Sequence, residues 1–297
     1  MTEASPGRQE FHLTVETTAA AVSLLADASQ LTKTAVKQAM LKGAVWWQQG
    51  KQVRRLRRAS RTVNPGDQLH FYFDPAVLAA TAEPATLVAD EGSYSVWNKP
   101  AGMLSQGSKW GDHCTLTRFA EQHLSPQRTA YLVHRLDRAA NGLMVIAHGK
   151  NSARELSRQF RDREVTKIYR ARVTGKFPEQ PEPLLLTSDI DGRSARSEVS
   201  WLGYDRNNDS THVQVEITTG RKHQIRRHLA EAGWPVMGDR LYGGSPVSHE
   251  EKPDEPLALS ACQLHFRAPE HGTLKQYHLP EQPGTLLASA QKKALPE

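Results

Sequence analysis

The chain has 297 residues, 38% hydrophobic and 24% charged, a composition that can bury a core and a length that suits two domains. Its 38 Lys and Arg exceed its 32 Asp and Glu, and its two cysteines, Cys114 and Cys262, are too few and too far apart for a disulfide scaffold or a zinc ribbon. No apolar run approaches the roughly 20 residues of a membrane span, and the opening MTEASPGRQEFHL is polar where a secretory signal is basic and then apolar; a cytoplasmic protein with no membrane attachment and no metal is the expectation.

The positive charge is concentrated. No acid occurs between Ala28 and Gly66, while Lys33, Lys37, Lys42, Lys51, Arg54, Arg55, Arg57, Arg58 and Arg61 all fall there. Inside this stretch Ala35, Val36, Ala39 and Met40 recur at helical spacing, with Gly43 as the stop, so LTKTAVKQAMLKG is predicted to be a helix that projects Lys33 and Lys37 from one side. The strand AVWW, the turn QQGK and a basic strand follow. Asn64-Pro65-Gly66-Asp67 then turns the chain into the alternating strand QLHFYF. A solvated face is one reading of such a charge run. Binding to a phosphate backbone is the other, and it accounts for the exclusion of every acid. Trp46 and Trp47 are candidates for stacking on bases, although adjacent strand residues point oppositely and at least one belongs in the core. The stretch resembles the small S-four-like RNA-binding module, with VWWQQG where that family often has V-x-V-N-G. The resemblance implies an RNA-binding domain over about residues 1–80, with its core at 28–73.

Residues 74–84, rich in Ala, Pro and Thr, read as a linker to a larger domain over about 85–280, with a tail at 281–297. That domain contains the strand-like segments YSVWNK, YLVH, LMVIAH, VTKIYRARV and HVQVEI, and a helix is predicted to start at Ser152 with a capping box to Glu155 and an apolar side at Leu156 and Phe160. Alternating strands with few helices between them predict an α+β fold, a mainly antiparallel mixed sheet with helices packed on it, preceded by a small α+β domain.

Between YLV and LMVIA lies a polar loop, His134-Arg135-Leu136-Asp137-Arg138-Ala139-Ala140-Asn141-Gly142, in which Asn141-Gly142 is predicted to make a tight turn. A loop held between strands positions a working side chain well. The alternative is a surface loop whose Asp137 pairs locally with Arg135 or Arg138.

HRLDRAANGLMVIA is similar to the signature HRLD-x-x-(T/S)-S-G-L of the RluA-type pseudouridine synthases, and the other motifs of that family follow in order. They are NKPAG at Asn98 to Gly102, TKIYRARVTG at Thr166 to Gly175, and GRKHQIRRHLAEAGWPVMGDRLYGG from Gly220 to Gly244. Ala140-Asn141 replaces the usual hydroxyl pair. The resemblance implies an isomerase that breaks the glycosidic bond of a uridine, turns the base and rejoins it through carbon. Nothing enters or leaves, so no cofactor is required. One ionised carboxylate must act at the ribose, as a nucleophile at C1′ or a base toward C2′, and the family pattern gives that role to Asp137, with Arg226 as its cation. By the same resemblance Tyr169 presents a flat ring to the uracil, where the residues alone read rather as a half-buried core tyrosine. Arg135 fills the space left when the nucleotide is everted from the stack. Arg138, Lys99, Lys167, Arg221, Lys222 and Arg227 are candidates for phosphate contacts, and solvated charge is the alternative for each. His134, His223 and His228 read as structural. The expected partner is structured RNA, ribosomal first and transfer RNA next, and the expected state is a monomer. A non-catalytic RNA-binding protein and a glycosidase that releases free base are the rival functions.

Overall fold

Val36, Ala39 and Met40 lie on one side of a single helix, and that side is buried while Lys33 and Lys37 are exposed. The helix is capped by the Thr32 side chain, which accepts a hydrogen bond from the amide of Ala35. In this computed structural model, which describes residues 7–243 and 255–280, the chain divides into two units: residues 1–82 with 104–127, and residues 83–103 with 128–297. The tail expected at 281–297 and Gly244 of the last motif lie outside the described residues.

The first unit runs β1 (Gln9–Thr14), β2 (Ala19–Ala20), α1 (Ala21–Ser29), α2 (Lys33–Leu41), β3 (Val45–Gln49), β4 (Gln52–Arg55), β5 (Thr62–Val63), β6 (Gln68–Phe73), α3 (Pro75–Ala79) and α4 (Leu116–His123). Its four-stranded antiparallel sheet has the order β1-β6-β3-β4. Val45, Trp47, Leu69 and Phe71 alternate onto the face that packs with Leu25, Val36 and Met40. Two expectations are corrected. The linker contains α3, because Asp74 caps it by accepting from the Val77 amide and Pro75 suits a first helical turn. Residues 104–127, read as part of the larger domain, cluster with this unit and bring an acid to the basic stretch.

The second unit runs β7 (Thr86–Asp90), β8 (Tyr94–Lys99), β9 (Tyr131–Leu132), β10 (Asn141–Ala147), α5 (Lys150–Arg161), β11 (Thr166–Thr174), β12 (Leu184–Leu186), β13 (Ser197–Asp205), β14 (Ser210–Ile217), α6 (Gln224–Glu231), β15 (Leu259–Arg267) and β16 (Leu274–His278). The sheet order is β12-β13-β14-β11-β15-β10-β8-β7, with β16 on β15 and β9 on β10. Among the described residues only β10 and β15 pair in parallel, so the fold is the expected α+β class with a mainly antiparallel mixed sheet. The predicted capping box is not formed: α5 begins at Lys150 after Gly149, Ser152 is buried one turn in, and Glu155 bonds Arg158 and Gln159. Leu156 does pack on the sheet with Leu143, Val145 and Phe266.

Asn141-Gly142 is not a turn either. Both residues are the start of β10, in parallel register with Ser260 and Ala261. A side chain at Gly142, whose φ is +123°, would overlap the backbone of Ala261, so the close approach of these strands requires glycine. Ala261 in turn faces Tyr169 across β11, at a bulge that follows Ile168. The end of the polar loop and Tyr169 are therefore set on the two sides of one residue.

Candidate active site

The loop before β10 is pinned at several points. His134 Nε2 accepts from the amide of Val145 at 2.9 Å, and its ring stacks on Phe160 with centroids 4.3 Å apart. Burial, followed by the nearby charge of Lys167, pushes this imidazole down to about 3, so it is neutral and structural. Leu136 is buried. The carbonyl of Arg138 accepts from the Gly102 amide at 2.7 Å, and Arg138 Nε donates to the Gly102 carbonyl at 3.2 Å. Lys99 donates to the carbonyls of Ala140, Met103 and Pro100 at 2.7, 2.9 and 3.0 Å. Between these anchors Asp137 keeps 20% of its side chain exposed, and Arg135 and Arg138 are exposed.

The partner of Asp137 comes from α6. Gln224 is buried and accepts from the Thr219 hydroxyl at 2.7 Å while donating to the Arg196 carbonyl at 2.9 Å, which fixes the first turn. Arg226 then spans two carboxylates. Its Nε and Nη2 each lie 2.7 Å from an oxygen of Asp239, and Nη1 lies 3.3 Å from Asp137 Oδ2. The local pairing of Asp137 with Arg135 or Arg138 that the sequence left open is thus not what forms. The side chains of Arg226 and Asp239 are 5% and 0% exposed. The hydrogen bonds that Arg226 donates to Asp239 lead in holding its guanidinium above its ordinary range. Burial works to raise the Asp239 carboxyl, but Arg226 and the amides of Leu241 and Tyr242 outweigh it and hold it below the ordinary range. His223 precedes the helix with φ of +55°, its Nδ1 3.0 Å from Tyr242 Oη and its Nε2 3.8 Å from Asp137 Oδ1.

Asp137, His223, Arg226, Arg240, Leu241 and Leu257 line a cavity of about 540 Å³. Tyr169 is not in its lining; it is buried on β11, and burial first, then the charge of Asp137, raises its phenol above the ordinary range, so it remains a hydroxyl. Among the described residues no three His, Cys, Asp or Glu side chains converge as a metal set would.

Several expected phosphate contacts are corrected. Lys99 is fully buried and spends its three donors on carbonyls; burial lowers it to about 8 against the opposing pull of Asp137. Lys167 is buried on the same strand face as Tyr169, lowered to about 8 by burial, and 3.5 Å from the Thr219 carbonyl. Neither reaches a surface phosphate. Arg227 pairs with Asp191 at 2.9 Å, Arg221 donates to the Ser194 carbonyl at 3.2 Å, and Lys222 is exposed. In the first unit Arg55 and Arg57 both pair with Asp112, whereas Arg54 and Arg58 stay exposed. Trp47 is buried, with Arg54 and Arg61 over its ring, and Trp46 lies under Arg55 with its Nε1 donating to the Lys109 carbonyl, so neither indole stands open for a base.

The sequence assigns no role to Asp239 and reads His223 as structural. Asp239 stood in the quoted GDRLYG segment, and an acid downstream of an arginine that had to be held rigid was the available signal. For His223 the sequence carries no such signal, because a left-handed backbone ahead of a helix leaves no mark in the residue letters.

Residues 93–231 match the family model described as RNA pseudouridylate synthase. An uncharacterized RNA pseudouridine synthase of Synechocystis is 31% identical over 74% of this chain and 83% of its own length. The dual-specificity RNA pseudouridine synthases RluA of Yersinia pestis and Escherichia coli are 35% and 34% identical, over 60% and 62% of this chain and 90% and 88% of theirs. The solved human RNA pseudouridylate synthase domain containing 1 shares the fold, with a TM-score of 0.56 and 23% identity over 68% of this chain and 85% of that one. These likenesses define an RNA-modifying isomerase. The chain belongs to the RluA-type RNA pseudouridine synthases.

Proposed function

We propose that this chain isomerises particular uridines within structured RNA, ribosomal RNA first and transfer RNA next, with Asp137 as the reacting carboxylate. The observation that carries this is the 3.3 Å contact of Asp137 with Arg226 at the wall of a cavity large enough for a nucleotide. Relatives described as dual-specificity enzymes make more than one target RNA reasonable. The C1′–N1 bond breaks, the uracil turns, and C1′ bonds to C5. The C5 proton leaves as N1 acquires one, so the product is an isomer and the reaction balances without a cofactor. Arg226 supplies a cation that cannot lose its proton, and Asp239 holds that cation. The role given to Tyr169 requires the uracil to reach past the cavity lining to a ring that is buried on β11. Arg135, exposed beside Asp137, occupies the place of the everted nucleotide and offsets part of the few kcal/mol that eversion costs. Arg138 and Lys222 meet phosphates near the site. Lys33, Lys37, Arg54 and Arg58 do so on the first unit, residues 1–82 with 104–127, which binds RNA, while the second unit, residues 83–103 with 128–297, carries out the reaction. The protein acts as a cytoplasmic monomer.

The test is Asp137→Ala. Carbodiimide mapping of cellular RNA locates the target with and without the wild-type chain, and the variant is then assayed on that RNA. Loss of pseudouridine with RNA affinity retained is expected; wild-type activity in the variant, or free uracil as the wild-type product, refutes the reading.

A further inference from the structure

Leu241 is 66% exposed, the most exposed of the large hydrophobic side chains among the described residues, and it lines the catalytic cavity. An isolated surface leucine needs no explanation. This one differs in how it is held. Asp239 Oδ1 accepts from the amides of Leu241 and Tyr242 at 3.0 and 3.2 Å, and the Asp239 carbonyl accepts from Gly243 at 2.9 Å. The turn enters through Gly238, whose φ is +72° and where any side chain would overlap the carbonyl of Pro256. The carboxylate that fixes this turn is the one that grips Arg226, which in turn meets Asp137. A short rigid chain, Leu241–Asp239–Arg226–Asp137, therefore fixes an apolar side chain relative to the reacting carboxylate.

We infer that Leu241 is a substrate-contacting residue that packs against the base of the nucleotide adjoining the target uridine. The inference rests on the proposed reaction at Asp137 and adds a determinant of which RNA context is accepted. Eversion of the target uncovers one apolar face on each of the two flanking bases, and with Arg135 in the vacated place against one of them the other keeps an uncovered face. Leu241, at the cavity and largely in solvent, is placed to cover such a face, as apolar wedges do where proteins unstack nucleic acid. Arg240, in the same turn, also lines the cavity.

The experiment uses the full chain and an RNA oligonucleotide spanning the uridine found by mapping, made with the neighbouring nucleotides intact or with each in turn abasic. Wild type, Leu241→Ala and Leu241→Met are compared for RNA affinity and single-turnover rate. Truncating a side chain so exposed removes little packing, so the variants fold. On intact RNA, Leu241→Ala is expected to bind about tenfold more weakly, the worth of burying one leucine, with the single-turnover rate at saturation nearly unchanged, and Leu241→Met restores most of the affinity. On the abasic RNA lacking the contacted base, wild type falls to the level of Leu241→Ala and the variant loses nothing further. Equal affinity of wild type and Leu241→Ala on intact RNA, or additive losses on every abasic RNA, overturns the inference while wild-type activity leaves the proposed function standing. Absence of pseudouridine formation by wild type overturns both.

Discussion

Replacing Arg226 by lysine keeps the positive charge and removes the ability to span two carboxylates. The guanidinium meets Asp239 through two nitrogens at 2.7 Å and Asp137 through a third at 3.3 Å. One ammonium cannot reproduce that fork. The Asp239 side chain is wholly buried, so leaving it without a cation costs more than releasing Asp137, and the lysine is expected to stay with Asp239. A hydrogen bond to a charged group contributes about 1.5–3 kcal/mol. The longer contact to Asp137 belongs at the lower end, so about 1.5 kcal/mol, roughly a factor of ten, is lost where Asp137 must act. The loss at Asp239 falls on stability instead, and lowers Tm by roughly 3–12 °C. Release of tritium from RNA labelled at uridine C5, with enzyme in excess, reads the first effect; thermal unfolding followed by circular dichroism reads the second. RNA affinity is expected to be unchanged. A variant with lowered Tm and a wild-type single-turnover rate would show that Arg226 holds the fold and does nothing for Asp137.

The same side chains make three further outcomes checkable. Lys99, lowered to about 8 by burial, loses its proton as pH rises through that value, and a neutral amine with two N–H groups leaves one of the three loop carbonyls unserved. The single-turnover rate is therefore expected to be full below pH ~8 and to fall above it, with Lys99→Met removing that step; a flat wild-type profile from pH ~7 to ~10 excludes the role. Gly142→Ala forces a side chain into the Ala261 backbone at a positive φ, and a urea midpoint equal to wild type would contradict the tight parallel pairing; a destabilisation of about 3 kcal/mol is expected. Neutralising exposed Arg54 and Arg58 should lower the salt slope of RNA binding by about 0.7–0.9 for each phosphate that they neutralise, while Arg57→Gln, which removes a partner of Asp112, should lower stability and leave the slope unchanged.

What the sequence could show depended on the range of the interaction. The buried side of α2 is visible because residues 36, 39 and 40 repeat at the helical period, and the face shared by Lys167, Tyr169, Ala171 and Val173 because strands alternate. The fates of the basic residues are set by partners distant in sequence. Arg55 and Arg57 read as phosphate contacts until Asp112, 57 and 55 positions later in the chain, is folded against them. Lys99 and Arg135 look alike as letters, yet three carbonyls converge on one and solvent surrounds the other. Asn141-Gly142 is a common turn pair, but here glycine serves the approach of β15, 119 positions away, where Asn141 Nδ2 donates to the Ser260 hydroxyl.

That bond bears on the absence of the hydroxyl pair from the HRLD signature. Ala140 is buried with its carbonyl held by Lys99, and the side chain of Asn141 reaches a hydroxyl supplied by the neighbouring strand. Since β15 also carries Ala261 between Gly142 and Tyr169, the same strand that receives Asn141 sets the spacing from the polar loop to the tyrosine. At the position where the signature carries a hydroxyl, Asn141 therefore bonds one supplied by β15. Ser260→Ala isolates the point: if this bond holds the loop, the single-turnover rate drops several-fold while Tm changes little, since a net hydrogen bond is worth about 1 kcal/mol. A lowered Tm with an unchanged rate would mean that Asn141 supports the sheet and that Lys99, His134 and the Gly102–Arg138 pair hold the loop behind Asp137.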